Sequence, residues 1–339
     1  MKKPTKKRNL DLFDPNAQKP FTITVSARAL FDLEEDHNYY TEHGVEAFEK
    51  YQQEKEDVLL KPGAAFQLVK KLLDINHHLP PDARPFEVIL LSRNSSETGL
   101  RVFNTIEHLG LDIYRAVFTS GTSPSKYLDA IGVDLMLSSN PDEVKKAIDR
   151  GFAAATLMPR HFGIPEHDQI KIAFDGDAVL FSDEAEKIHK DGGLETFRSH
   201  EIKHAKTPLA AGPFRGFLEV IHTLQKYFPP GQDCPIRTAL VTARSMPTHK
   251  RAILTLRSWG VRVDEAMFLG GRNKGPFLKA FEADLFLDDS KRNIENALND
   301  VPSGHVPYGV RNEEGSDDAH FTGGTAIQPP VAPRKNSPK

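Results

Sequence analysis

The chain has 339 residues, 39% of them hydrophobic, and a formal net charge of -3. That length suits about two domains of ordinary size with sizeable cores, the small acidic excess argues against nucleic acid as a partner, and no apolar run approaches the roughly 18 residues that span a bilayer. The only cysteine, Cys234, leaves no internal disulfide and no cysteine cluster for zinc, which fits a reducing cytoplasm.

Residues 1–19 read as a flexible basic arm, because the run Lys2, Lys3, Lys6, Lys7, Arg8 is not followed by the apolar core of a secretory signal. Thr22 to Val25 is a short strand leading into Ser26-Ala27-Arg28. From Glu34 to about Pro85 the pattern is helical, with Phe66, Val69, Leu72 and Leu73 as one apolar stripe behind the turn at Pro62-Gly63. Strands are then expected at Val88–Leu91, Ala116–Thr119 and Leu135–Leu137, with a helix at Leu100–Leu109 ended by Gly110. Short strands alternating with helices of about ten residues predict an α/β fold, a parallel sheet with helices on both faces.

The same order then begins again. Ile170–Phe174 is a strand, Phe217, Val220, Ile221 and Leu224 form an apolar stripe behind Gly212-Pro213, and strands follow at Ala239–Val241, Ala266–Leu269 and Leu285–Leu287. When residues 88–139 are set over 238–289 at an offset of 150, 14 of the 52 pairs are identical, among them Ser95 with Ser245, Gly110 with Gly260 and Asp134 with Asp284. At an offset of 149, Ser26 falls on Asp175. The chain therefore reads as an internal duplication: a half at 20–165, a second at 166–311 with a cap insertion at about 184–235, and a disordered tail at 312–339. Where the halves differ, the polar candidates lie in the second. Asp175 replaces Ser26, Asp177 replaces Arg28, Lys274 replaces Pro124, and Asp288-Asp289 replace Ser138-Ser139. An arginine at the position of the second acid opposes a metal cation, so the first half is expected to be a scaffold or a site without turnover.

In the second half Asp175, Asp177, Thr242, Lys274, Asp288 and Asp289 each fall at a loop after a strand, and in a parallel sheet such loops share one edge. Carboxylates for a hard divalent cation, a hydroxyl and an ammonium for phosphate oxygens, and one carboxylate free to attack suit phosphoryl transfer, with magnesium as the expected metal. Taken singly, Thr242 reads equally as a helix cap, Lys274 as a loop lysine and Asp288-Asp289 as a solvated turn. Their joint order, and their joint loss from the first half, favour the site.

The strings D-G-D-A-V-L, V-T-A-R-S, a lysine and L-D-D resemble the four motifs of the haloacid dehalogenase superfamily. IAFDGDAVLFSDEAE, PLAAGPFRGFLE, IRTALVTARS, TLRSWG and HVPYGV resemble more narrowly the type I cytosolic 5'-nucleotidases, from about Phe21 to Val310. The resemblance implies Mg2+-dependent hydrolysis of nucleoside 5'-monophosphates, AMP preferred, by a cytoplasmic protein without nucleic-acid or membrane partners. Asp175 would be the nucleophile and Asp177 the acid and then base. Gly176, Thr242, Ala243 and Lys274 would bind phosphate, and Asp175, the Asp177 carbonyl, and Asp288 or Asp289 would hold the metal. It also implies an ADP activator and a homo-oligomer. Phe181, Arg198 and His200 are candidates for nucleoside contacts. His200-Glu201-Ile202-Lys203-His204 matches H-E-x-x-H, but so short a pattern in the cap segment does not argue for zinc. The competing readings are a phosphatase for another small phosphomonoester and a phospho-acceptor signalling module. In the latter the acceptor carboxylate comes mid-chain, not ahead of the Thr and Lys as here.

Overall fold

The structure is a computed structural model that describes residues 20–77, 84–158, 167–226 and 234–313. The basic arm and the chain after residue 313 lie outside these. The strands are β1 (Phe21–Val25), β2 (Phe31–Asp32), β3 (Lys61–Pro62), β4 (Phe86–Ser92), β5 (Arg115–Phe118), β6 (Leu135–Ser138), β7 (Ala153–Leu157), β8 (Ile170–Phe174), β9 (Ile236–Thr242), β10 (Glu265–Phe268), β11 (Leu285–Asp288) and β12 (Ser303–His305). The helices are α1 (Ala27–Leu30), α2 (Glu34–Glu54), α3 (Phe66–His77), α4 (Ser96–His108), α5 (Leu128–Ile131), α6 (Pro141–Asp149), α7 (Glu184–Lys203), α8 (Arg215–Gln225), α9 (His249–Trp259), α10 (Gly275–Phe281) and α11 (Lys291–Ala297).

Ten strands form one sheet in the order β10-β9-β8-β11-β12-β7-β6-β1-β4-β5. Every neighbouring pair is parallel except β12 with β7, where Gly304 faces Leu157 and His305 faces Thr156. The sheet is thus two parallel blocks of five joined edge to edge and running in opposite directions. The strand ends of the first block open on one edge of the sheet and those of the second on the other. The junction is closely packed at its glycine, where a Cβ on Gly304 would stand 2.9 Å from Leu157 Cδ2 and 3.0 Å from Leu287 Cδ2.

Both faces of the second block are buried, as near-continuous apolar strands require. Ile170, Ile172 and Phe174 of β8 share a core with Phe217, Leu218 and Ile221 of α8 and with Leu256 of α9. Ala173, Val241 and Phe286 pack on the opposite face against Leu278 of α10 and Ile294 of α11. The first core also runs through the first block. Phe21 of β1 stacks on Phe217 at 5.2 Å, and Lys71 of α3 reaches the buried Asp284 at 2.6 Å.

The two blocks also share local hydrogen bonds. Asp134 accepts the N–H of Thr22 at 2.7 Å, as Asp284 accepts that of Lys171 at 2.8 Å. Thr105 Oγ1 accepts the N–H of Leu60 at 3.2 Å, and Thr255 Oγ1 that of Leu209 at 2.9 Å. Gly44 and Gly193 break α2 and α7 at φ 78° and 73°. One local difference falls at the opening motif. Leu30 N–H bonds Ser26 O in an α-turn, whereas Phe181 N–H reaches back to Gly176 O at 2.9 Å. That π-turn, with Ala178 at φ 60°, takes one more residue, as π-bulges at functional sites do.

Candidate active site

Asp175 is the first residue beyond β8, and its N–H bonds the Leu287 carbonyl of the neighbouring β11 at 2.8 Å. β11 itself ends on Asp288, so the two carboxylates emerge side by side from adjacent central strands. Lys274, which caps α10, donates through Nζ to Asp175 Oδ1 at 2.7 Å and to Asp288 Oδ2 at 2.6 Å. Asp288 is further held by the Ser290 N–H at 2.8 Å and by Asn293 Nδ2 at 3.1 Å. Asp175, Asp288 and Asp289 are all buried, and each offers an oxygen within 4.8 Å of the others.

Asp289 completes the cluster differently. Its main-chain carbonyl accepts from Asn312 Nδ2 and lies 3.0 Å from His305 Nε2, while its Oδ2 is buried, has no hydrogen bond among the described residues, and lies 3.8 Å from Arg311 Nε. Arg311 bonds Glu186 of α7 at 2.7 Å. Asn312, expected at the start of the tail, instead closes a short turn at Val310–Asn312 and is buried. Burial pushes the Asp175 carboxyl up to about 7; Lys274 pulls against that shift, and Asp288 and Asp177 add to it. Burial, with Glu186, Asp288 and Asp175 as like-charged neighbours, holds Asp289 well above the usual carboxylate range. Burial disfavours the Lys274 ammonium, but its two carboxylate partners outweigh that and raise its pKa. Asp175, Asp288, Asp289 and Glu186 thus face the cations Lys274 and Arg311. Fully ionised, that is four negative charges against two positive, a surplus one divalent cation offsets. Oxygen donors only, with one carboxylate oxygen orphaned, fit a hard cation such as Mg2+.

The Asp177 side chain is not one of the three grouped carboxylates. Arg244 grips it with both arms of its fork, Nε to Oδ2 at 2.8 Å and Nη2 to Oδ1 at 2.7 Å. Nη1 of Arg244 bonds Glu201 of α7, the Arg244 N–H donates to Thr242 Oγ1 at 3.2 Å, and the guanidinium lies 5.6 Å from the ring centre of Phe197. Glu201 also accepts from Arg251 Nη1 at 2.7 Å. Burial penalises the Arg244 charge, yet Asp177 and Glu201 together raise its pKa; Glu201 is lowered, its burial outweighed by Arg244 and Arg251.

The other expected residues divide. Thr242 ends β9, and a Cβ on Gly176 would be 3.3 Å from its Oγ1, so the two lie together; Ala243, the next residue, is exposed. Phe181, expected at the nucleoside, is fully buried with its ring 5.5 Å from Trp259; its apolar neighbours Val179 and Leu180 carry it into the core. Arg198 pairs with Glu195 on the surface. His200 lies against His204, ring centres 4.1 Å apart, while Glu201 between them turns inward to two arginines, so the H-E-x-x-H pattern forms no metal site among the described residues. Arg244, Glu201, Glu186 and Arg311 were not anticipated. Arg244 lies inside the V-T-A-R-S string and could have been found by its replacement, Asn94, in the first half, as could Glu186, which ends the string IAFDGDAVLFSDEAE and is replaced by His37; the pairing of Glu186 with Arg311, 125 positions away, carries no local signal.

A sequence profile described as 5'-nucleotidase matches residues 14–313. Human cytosolic 5'-nucleotidase 1B is 39% identical over 292 residues, which cover 84% of this chain and 48% of that protein, so the chain spans about half the length of this curated relative. No solved structure matches significantly. No described helix is long and apolar enough to cross a membrane. The matched profile covers most of the chain, including every residue of the carboxylate cluster: the chain belongs to the 5'-nucleotidase family.

Proposed function

We propose that the chain hydrolyses nucleoside 5'-monophosphates, AMP preferred, to nucleoside and phosphate through an aspartyl-phosphate on Asp175. The observation that carries this reading is the buried group Asp175, Asp288 and Asp289 with Lys274 bridging the first two, in a chain of this family. An Asp175 oxygen attacks phosphorus while the bond to the nucleoside O5' breaks and Asp177 gives that oxygen its proton. Asp177 then takes a proton from the water whose oxygen attacks phosphorus, and the bond to Asp175 breaks to release phosphate and the free carboxylate. Thr242 Oγ1, Lys274 Nζ and the N–H groups of Gly176 and Ala243 hold the non-bridging oxygens. Asp175, the Asp177 carbonyl, and Asp288 or Asp289 would hold Mg2+, which would supply positive charge against the phosphate and the attacking carboxylate. Arg198 and His200 on α7, with Phe197 beside them, are the side chains offered for nucleoside contacts.

The same proposal takes residues 20–165 and 166–311 as two copies of one unit, α7 and the segment to about 235 as a cap, and the cytosol as the place of action. The paired hydrogen bonds of the two blocks support the first of these. Activation by ADP and assembly into a homo-oligomer complete it. The test is phosphate release across the nucleoside monophosphates and a sugar phosphate, with Mg2+ and with chelator. Metal-dependent release, fastest with AMP, is expected; no preference for nucleotides would overturn the substrate assignment.

A further inference from the structure

We infer that Arg244 is a positioning residue for the acid and base Asp177, and that Glu201 of α7 fixes Arg244 in turn. The inference rests on the proposed hydrolytic function. A carboxylate that must reach the leaving oxygen in one step and a water in the next has to be held in one plane. A bidentate guanidinium supplies that geometry, whereas a lysine supplies only a point charge. Arg244 is itself immobilised on every side. It is 3% exposed, Glu201 is 1% exposed, Thr248 O accepts from Nη1 at 3.3 Å, and Phe197 covers the guanidinium.

The first half separates this role from a structural one. At the corresponding positions Asp177 is Arg28, Arg244 is Asn94 and Glu201 is Gln52, so all three members of the chain are replaced together. The neighbouring contacts that hold the fold are kept. Arg251 Nε donates to Thr207 O at 2.9 Å, and its counterpart Arg101 Nε donates to Val58 O at 2.7 Å. The unit therefore folds without the Asp177–Arg244–Glu201 chain, which accompanies only the half that has the carboxylate cluster.

The test uses the Mg2+-loaded full chain and two esters of one nucleoside, the 5'-phosphate and its bridging 5'-S-phosphorothiolate. An alkoxide needs a proton to leave and a thiolate does not, so a defect in acid positioning strikes only the oxygen ester. Arg244→Lys is expected to lose about 100-fold in kcat/KM on the oxygen ester and less than about 5-fold on the sulfur ester, with melting temperature kept. Glu201→Gln, which leaves Arg244 in place, is expected to show the same bias at about 10-fold. Equal losses on the two esters, in Arg244→Lys or, should that variant not fold, in Glu201→Gln, would overturn the inference. The underlying function fails separately: wild type would then release no phosphate from any nucleoside monophosphate. Absence of the oxygen bias in Asp177→Asn would remove the acid role and the inference with it.

Discussion

In the first half the loop beyond β1 is self-satisfied: Ser26 Oγ accepts the N–H groups of Ala29 and Ser139, both at 3.2 Å. In the second half the same place holds Asp175, which shares one lysine with Asp288 and is surrounded by further carboxylates. The contrast extends outward. Asn293 donates to Asp288, whereas its counterpart Glu143 is buried against Arg93 in a closed ion pair. The two blocks share strand order, strand-end hydrogen bonds and helix breaks, so like-charge crowding is not something this architecture requires. It is tolerated in one block, and a site of that kind is expected to hold a cation.

That comparison can be broken most severely at the nucleophile. Asp175→Asn should lower phosphate release by about 10⁴-fold or more with the fold retained, and Ser26→Asp with Arg28→Asp should create no activity, because the Arg93–Glu143 pair stays in place. Appreciable release by the first variant would assign the chemistry elsewhere. A second contrast concerns stability. Asp284 is buried and carries Lys71 as well as the β8 N–H, while Asp134 is exposed and, among the described residues, its side chain holds the matching N–H alone. Asp284→Ala should therefore cost about 2–3 kcal/mol, by taking the carboxylate from the half-buried Lys71, which keeps Gln169 O, and from the β8 N–H, against about 1 kcal/mol for Asp134→Ala; equal midpoints in urea would contradict the contrast.

Metal binding sharpens the contrast further. Excess Mg2+ should raise the melting temperature of the wild type, with stabilisation of about 2.7 kcal/mol at 100 times the Kd. Asp289→Asn should weaken that binding by about 10–100-fold, and Ser139→Ala, its counterpart, should leave it unchanged. The smallest expected effect lies at the junction strand, where His305 pairs with Thr156 of the other block. Burial lowers His305 to about 4. Between that value and an unfolded pKa near 6.5 the unfolded chain binds the extra proton, so this contribution to stability is present above about 6.5 and is lost as pH falls toward 4. Relative to His305→Thr, the wild type should lose about 1 kcal/mol on going from pH 7.5 to pH 5.5; a parallel pH profile for the two proteins would contradict the buried neutral histidine.

Much of this architecture was legible in the sequence because buried parallel strands are short apolar runs between turns. β1, β4, β5, β6, β8, β9, β10 and β11 lie within a few residues of where those runs fall. β7 and β12 were missed: Ala153-Ala154-Ala155 and Ser303-Gly304-His305 have little strand propensity, and they are fixed by packing at the junction, where Gly304 admits Leu157. The joining of the blocks into one sheet was hidden with them. Asp175, Lys274 and Asp288 could be placed together because strand-end loops share an edge. Phe181 could not be read correctly from its residue type, since an aromatic beside a motif is equally core. Arg244, the partner of Asp177, lies just beyond β9, but Glu201 of α7 behind it and Asn312 and Arg311 of the turn after β12, which meet Asp289, are contacts over separations that nothing in the local sequence announces.

On the proposed function, chemistry is confined to one of two similar blocks, at Asp175. Its most direct test is to trap the phosphorylated protein during turnover, reduce the acyl phosphate with borohydride and map the product. Homoserine is expected at position 175 and none within residues 20–165. A modified residue in the first half, or steady turnover with no acyl phosphate formed at Asp175, would contradict it.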